Sequence, residues 1–439
     1  MTGDPARAER SRTVLVLRHN PDRSAAVLDR AGTAYLVTDE PGDGGADAAP
    51  RPGGNRAQHV ARRIALSRYA RVYRVSSIQS IEELSAVAAD LLVTGAAIDK
   101  VVAYSEQDQY AAAYLSHLLG TGGYSPVLSL NTRDKRAMKL RAAAAGLPLP
   151  RYLALSRDVG DGDLDRIEAA VGYPLVLKPA NGWGTVQTTL VRDRAGLVPA
   201  LDNLDLRGGL SADHLLVEEF IAGDEFHVDA VWRDGKPWVF FVSRYFTPRL
   251  GLTSGAGLNG SILLREDDHP DLYRRMLDLN TRYNAAVGLD RGATHLEVFR
   301  EHGTGRHICS EIASRPGGAN VGELIGVACG VSQHVVWAHE LLDGRLADLP
   351  PLRRTYPGCL AWLNVPPPRP GRVRSVPDRR TILAHPNVLD VTVRLAPGRD
   401  IPVITPSTWG LLLVVTAETE AQLTAAAAEL VATIEIQMD

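Results

Sequence analysis

Three cysteines, Cys309, Cys329 and Cys359, are all the chain contains, and no two of them stand close together. That spacing speaks against a disulfide framework or a paired-cysteine zinc site, and a reducing cytoplasm is the expected compartment. Long hydrophobic runs are also missing. No segment approaches the roughly 20 apolar residues of a membrane helix, and Met1 to Arg12 is polar and charged with no apolar stretch behind it, unlike a signal peptide. Basic charge is not in excess either: the formal net charge of -3 and a pI near 6.5 argue against a polyanion-binding surface. Small-molecule partners are therefore expected, with no nucleic acid and no membrane. Lysine occurs only at positions 100, 135, 139, 178 and 236, against a large majority of arginine, so each retained lysine is informative. No repeat of fixed period is visible.

What is present is an ordinary globular composition, 45% apolar and 23% charged, over 439 residues. Such a length divides into about three folding units of roughly 100 to 150 residues. Thr13 to Leu17 (TVLVL), Tyr35 to Thr38 (YLVT) and Val101 to Tyr104 (VVAY) read as short buried strands separated by Ala-rich helical stretches. Alternation of that kind predicts a parallel sheet with helices on its faces, a Rossmann-like arrangement. The first turn, RHNPDRS, lacks the GxGxxG fingerprint, which argues against a dinucleotide and an oxidoreductase. From Asn131, which reads as a helix N-cap, NTRDKRAMKLRAAAAGLPLP predicts one helix ending at Gly146, with Pro148 beyond. Leu175 to Lys178 and Gln187 to Val191 read as strands around a glycine-containing loop. The RDGKP turn, flanked by strands, predicts a hairpin.

Several groups of residues carry chemistry. Lys135 opens the predicted helix and Lys178 ends a buried strand, where an ammonium is costly unless it meets an anion; the alternative is two solvated side chains. In PANGWGT, Gly182 and Gly184 let backbone amides approach an anion and Thr185 adds a hydroxyl, a phosphate cradle or else a plain turn. Glu218, Glu219 and Glu225 crowd VEEFIAGDE beside Ile221, where a nucleotide's amino and hydroxyl donors would be suitable partners, unless the stretch is an exposed edge. Glu297 and Glu311 lie on two strands predicted to be adjacent, with Arg315 following. Facing carboxylates repel unless a cation lies between them, and magnesium meets that need. Structural salt bridging is the competing reading, limited by how few cationic residues other than Arg315 are close in sequence.

In this order, DKRAMKLRAAAAGLPLP, KPANGWGT, VEEFIAGDE, THLEVF and EIASRPGG resemble the ATP-grasp superfamily, and most closely its carboxylate-amine ligases such as bacterial L-amino-acid ligases. The resemblance implies an α/β fold, α+β in its ATP-binding part. A Rossmann-like domain at 1–128 precedes two ATP-grasp subdomains, at 129–213 with the phosphate loop and at 214–348 with the metal site, and a small α+β domain at 349–439. It implies ATP and magnesium as cofactors, two ions for which manganese can substitute, small carboxylate and amine substrates, and a homodimer. Lys135 and Lys178 would contact ATP, Lys178 near the phosphates, with Gly182, Gly184 and Thr185 in the phosphate loop. Glu218, with backbone at Glu219 and Ile221, would meet adenine, and Glu225 ribose. Glu297 and Glu311 would hold metal, and Lys178 and Arg315 would be catalytic. Glu106 is a candidate for a substrate ammonium, and Arg244, Arg249 or His295 for a substrate carboxylate, with Arg315 and Gly318 nearby. Two positions depart from the family pattern: Ala313 stands where an asparagine is usual and Gln187 where a glycine is usual. They leave open a catalytically silent ATP-binding protein; a carboxylase-type relative is a separate alternative to an amide-forming ligase.

Overall fold

The computed structural model describes residues 11–39, 64–156, 159–204, 214–353 and 355–439. The β-rich runs near the N-terminus form a parallel sheet ordered Arg71–Arg74, Thr33–Thr38, Thr13–Leu17, Lys100–Ala103. Val14 and Val16 pack on one face against Val27 and Trp337, while Leu15 and Leu17 pack on the other against Leu84, Leu91 and Leu115. A strand covered on both sides has no use for polar alternation, which is why TVLVL is apolar throughout.

The expected single helix from Asn131 is two helices. Pro126–Arg133 is capped by Ser125, and Lys135–Ala144 is capped by Asp134, whose side chain accepts from the Arg136 N–H. Asp134 adopts an extended conformation that breaks the helical run, and Asn131 lies inside the first helix, where its amide donates to the Val287 carbonyl. The Ser-Pro pair at 125–126 is the N-cap and first-turn signal that outweighs Asn131.

Two antiparallel sheets follow. The smaller is ordered Tyr152–Ser156, His214–Glu219, Leu175–Pro179, Thr189–Val191. The larger has eight strands, ordered His307–Ala313, Gly292–Glu301, Gly223–Arg233, Lys236–Tyr245, Gly260–Leu263, Cys359–Val365, Leu411–Ala417, Val388–Val393. Asp234 and Gly235, with φ of 52° and 69°, close the RDGKP hairpin as a two-residue turn that needs both residues left-handed. The stretch expected as a small terminal unit thus shares its sheet with the middle of the chain. The Glu420–Thr433 helix, capped by Thr419, buries Leu423, Ala427 and Leu430 with Leu363, Leu413 and Val415 of that sheet. Among the described residues no single helix is long and apolar enough to cross a membrane.

Candidate active site

Strand alternation decides which side chains meet. Side chains two apart on a strand share a face, and in the large sheet Glu297 pairs in register with Glu311 on one side and with His227 on the other, while His295 pairs with Asp229 and Ala313. Glu225, His227, Asp229, His295, Glu297, Glu311 and Ala313 therefore line one face, and Phe226, Val228, Leu296, Val298 and Ile312 fill the core behind it. A bulge between Glu297 and Val298 leaves Ser310 outside the ladder, and its carbonyl accepts from the Lys139 ammonium at 2.6 Å.

The smaller sheet faces this surface across a cavity of about 460 Å³. Val176 pairs with Glu218 and Lys178 with Leu216, so Lys178 and Glu218 are diagonal neighbours on one face. Glu218 is buried between two ammoniums, Lys178 at 2.6 Å and Lys139 at 2.9 Å. Burial pushes the Glu218 carboxyl up, but the two lysines together hold it below the usual carboxylate range. Glu311 behaves likewise: burial raises it, yet Lys135 and Lys178 outweigh burial and hold it well below the ordinary value. Lys135 Nζ lies 2.8 Å from Glu311 Oε2, so the cationic partner of this carboxylate comes from a helix remote in sequence rather than from Arg315, which pairs with Glu106. Glu297 is approached at longer range by Tyr245 Oη at 3.4 Å and His295 Nε2 at 3.6 Å. Two facing hard-oxygen donors of this kind suit a magnesium ion. Burial, then the Glu297 charge, pushes the Glu225 carboxyl up to about 8; it accepts the Arg249 backbone N–H at 2.6 Å.

The glycine loop lies over this cavity. Lys135 Nζ and Arg133 Nη1 donate to the Gly182 carbonyl at 2.8 and 3.2 Å, and the Arg133 guanidinium stacks over Trp183 at 5.7 Å. Gly184 has φ of 56°, and a Cβ there would lie 2.6 Å from Ser407 Oγ, which donates to the Gly184 carbonyl. Thr185 and Gln187 are also left-handed, at φ of 63° and 56°. A glycine at 187 would adopt that conformation without strain. Val176, Leu190, Ile221, Leu250 and Phe299 give the cavity an apolar end, with Glu219 at its edge, paired to Arg151.

A second cavity adjoins the carboxylates, lined by Glu106, Arg133, Tyr245, Arg249, His295, Arg315, Gly318 and Trp362 among others. Arg315 pairs with Glu106. Burial raises the Glu106 carboxyl, but Arg315 and then Lys135 bring it below the usual range. The Arg249 guanidinium stacks over Tyr245 and Trp409, 5.8 Å from each ring. Trp362 Nε1 is buried without a hydrogen-bond partner among the described residues.

Most sequence-predicted residues converge on these two cavities: Lys135, Lys178, Gly182, Gly184, Thr185, Glu218, Glu219, Ile221, Glu225, Glu297 and Glu311 line the first, and Glu106, Arg249, His295, Arg315 and Gly318 the second. Arg244 is not brought there. It pairs in register with Phe226, which puts it on the opposite face, and its guanidinium meets Glu420 at 2.6 Å. Sequence reasoning missed Lys139, fully buried between Glu218 and the Cys309–Ser310 carbonyls, although it lies one helical turn from Lys135 in a lysine-poor chain. It also missed the chain of Ser261, His227, Asp229 and His295, linked at 2.7, 2.5 and 2.9 Å. Burial raises the Asp229 carboxyl, but the two flanking imidazoles hold it far below the usual range.

The combination of a Rossmann-like sheet, a nucleotide-sized cavity between two antiparallel sheets and a facing carboxylate pair defines an ATP-grasp architecture. Residues 171–323 match the ATP-grasp domain model, and residues 364–439 match that of the L-amino acid ligase C-terminal domain 2. The chain thus carries an ATP-grasp domain. It is 27% identical over 259 residues to the L-arginine-specific L-amino acid ligase of Bacillus subtilis, a match covering 58% of this chain and 60% of that protein. The D-alanine–D-alanine ligase of Polaromonas sp. is 38% identical over 93 residues, covering 21% of this chain and 26% of that one. The chain thus spans less than two thirds of the length of these relatives. The crystal structure of the L-amino acid ligase from Bacillus licheniformis shares the fold, with a TM-score of 0.73 at 16% identity over 98% of this chain and 100% of that one.

Proposed function

We propose that the protein is an ATP-dependent carboxylate-amine ligase that joins amino acids or similar small acids through an acyl phosphate, releasing ADP and phosphate. The observation that carries this reading is the in-register pair Glu297 and Glu311, opposite Lys178 and beside Arg315, at the junction of two cavities. One cavity has the size and apolar end for a nucleotide; the other offers both signs of charge for a small zwitterion. Glu297 and Glu311 would hold magnesium, which when bound neutralises charge on the terminal phosphates.

A carboxylate is a poor electrophile because its charge is delocalised and its oxygen leaves badly. Its oxygen attacks the terminal phosphorus of ATP and ADP departs; the amine then attacks the carbonyl carbon, loses a proton and expels phosphate. Catalysis of the first step is positioning and charge neutralisation. Lys178, kept charged mainly by Glu218 against burial, is suited to the phosphates, and Arg315, kept charged mainly by Glu106, to the transferring group. Glu225 would accept from ribose hydroxyls, which favour its ionised form. The glycine loop, held by Arg133, Lys135 and Ser407, would exclude water from the acyl phosphate.

An ADP-release assay over pairs of amino acids, with mass detection of the amide, tests the reading. ADP and amide in equal amounts are expected. ADP formed only with bicarbonate would favour a carboxylase, and ATP binding without turnover for any pair would favour a silent binder, the reading that Ala313 and Gln187 motivate.

A further inference from the structure

Behind the second cavity, the chamber that holds Arg315, four buried polar side chains are joined in series. Ser261 Oγ meets His227 Nε2 at 2.7 Å, His227 Nδ1 meets Asp229 Oδ2 at 2.5 Å, and the other oxygen of that carboxylate meets His295 Nδ1 at 2.9 Å. An ionised carboxylate only accepts, so each imidazole nitrogen facing Asp229 carries its proton and donates it. With Nδ1 of His295 committed in this way, Nε2 lies on the far side of the ring, 3.6 Å from Glu297 Oε1, and His295 lines the chamber. Ser261, His227 and Asp229 line neither the chamber nor the nucleotide cavity, so the first of these four side chains that a substrate can meet is His295. Asp229 is confined from a third side as well: a Cβ on Gly317 would collide with its Oδ1, so the backbone two residues beyond Arg315 packs close to the carboxylate. Burying such a charge is a weak source of stability, because desolvation offsets much of the pairing. What the arrangement supplies is direction.

We infer that Asp229, backed by His227 and Ser261, is a positioning residue: it fixes the His295 ring so that Nε2 is presented to the acid substrate beside Glu297. The inference rests on the ligase reading. The terminal torsion of a histidine side chain is soft, so a ring released from Asp229 can turn and offer carbon where it had offered nitrogen. A misplacement of about 1 Å at a reacting centre can cost on the order of 100-fold in rate. Holding both oxygens of Asp229, one by each imidazole, leaves the carboxylate no freedom to follow such a turn.

A double-variant cycle tests it, with Asp229→Asn, His295→Gln and the two combined, assayed on the amino-acid pair that releases most ADP. Asp229→Asn should raise KM for the acid by about tenfold or more while KM for ATP stays within about twofold, and in the His295→Gln background it should add less than about twofold. A merely structural role would lower the folded fraction, and with it kcat, without moving KM. Nitrogen-15 NMR of labelled histidines reads the geometry without turnover: the His295 signals, identified by their loss in His295→Gln, should show a protonated Nδ1 that exchanges slowly in the parent and rapidly in Asp229→Asn. Should Asp229→Asn fail to fold, Ser261→Ala at the far end is expected to raise the same KM by about threefold, again only where His295 is present. Equal rises of KM in both backgrounds, a fall in kcat alone, or an Nδ1 proton indifferent to Asp229→Asn overturns the inference. Absence of turnover for every pair beside the expected NMR result would refute the ligase reading and leave the fixing of His295 by Asp229 standing.

Discussion

Replacing Lys139 by methionine keeps the length of the side chain and removes its charge from a site with no solvent access. Three contacts go: the ion pair to Glu218 at 2.9 Å and the donations to the Ser310 and Cys309 carbonyls at 2.6 and 3.4 Å. Removing one partner of a buried pair costs about 3–5 kcal/mol because the other charge is left uncompensated. Glu218 keeps Lys178 at 2.6 Å, which puts the ion-pair loss near the low end, while the stranded Ser310 carbonyl adds to it. A net loss of about 3–4 kcal/mol follows. Urea unfolding followed by circular dichroism measures it, and a cycle with Glu218→Gln separates the pair from the carbonyl contacts, with a coupling of about 2 kcal/mol expected between positions 139 and 218. A loss below about 1 kcal/mol, the scale of a surface substitution, would refute the argument that this lysine holds the carboxylate and the bulged strand together.

Gly184→Ala should strain a left-handed position by about 1–2 kcal/mol and drive its Cβ toward Ser407 Oγ. A raised KM for ATP and more ADP released per amide formed are expected, with partial recovery in Gly184→Ala/Ser407→Ala; full coupling in the single variant would count against the loop as a water barrier. His334 is buried, and burial, then Arg23, lowers its pKa to about 3 despite the opposing pull of Asp229. Its folded value lies below its unfolded one near 6.5, so above pH 6.5 it is neutral in both states, and as pH falls toward 3 only the unfolded state takes the proton. Stability should fall by up to about 1.4 kcal/mol per pH unit in that window. Urea midpoints of the parent and of His334→Gln at pH 7 and pH 5 check it: the parent should lose about 2 kcal/mol more than the variant, and parallel losses would show that this imidazole does not drive the change.

Local signals in the sequence carried much of the fold. Thr13 to Leu17, the RDGKP turn and the two glutamate-bearing strands depend on neighbours in the chain, and each is where its residues imply. What escaped is non-local. The joining of Cys359–Val365 to Gly260–Leu263 pairs strands about a hundred residues apart, which strand propensity cannot reveal. The capping of Lys135–Ala144 by Asp134 escaped because Asn131 and Asp134 are both good caps; the Ser125–Pro126 start of the preceding helix and the burial of Asn131 against Val287 together decide between them. Arg244 was misjudged because facing depends on register: one position along, Tyr245 looks into the chamber. Lys139 could have been found from its four-residue spacing to Lys135, whereas nothing in the sequence joins His227 and Asp229 to His295 some 66 residues away.

The account depends most on a shared divalent ion between Glu297 and Glu311. Manganese, read by electron paramagnetic resonance with ATP present, measures that directly. The parent should take up manganese in proportion to bound ATP, and Glu297→Gln and Glu311→Gln should each weaken that uptake at least tenfold while remaining folded. Uptake equal to the parent's in both variants would contradict the account.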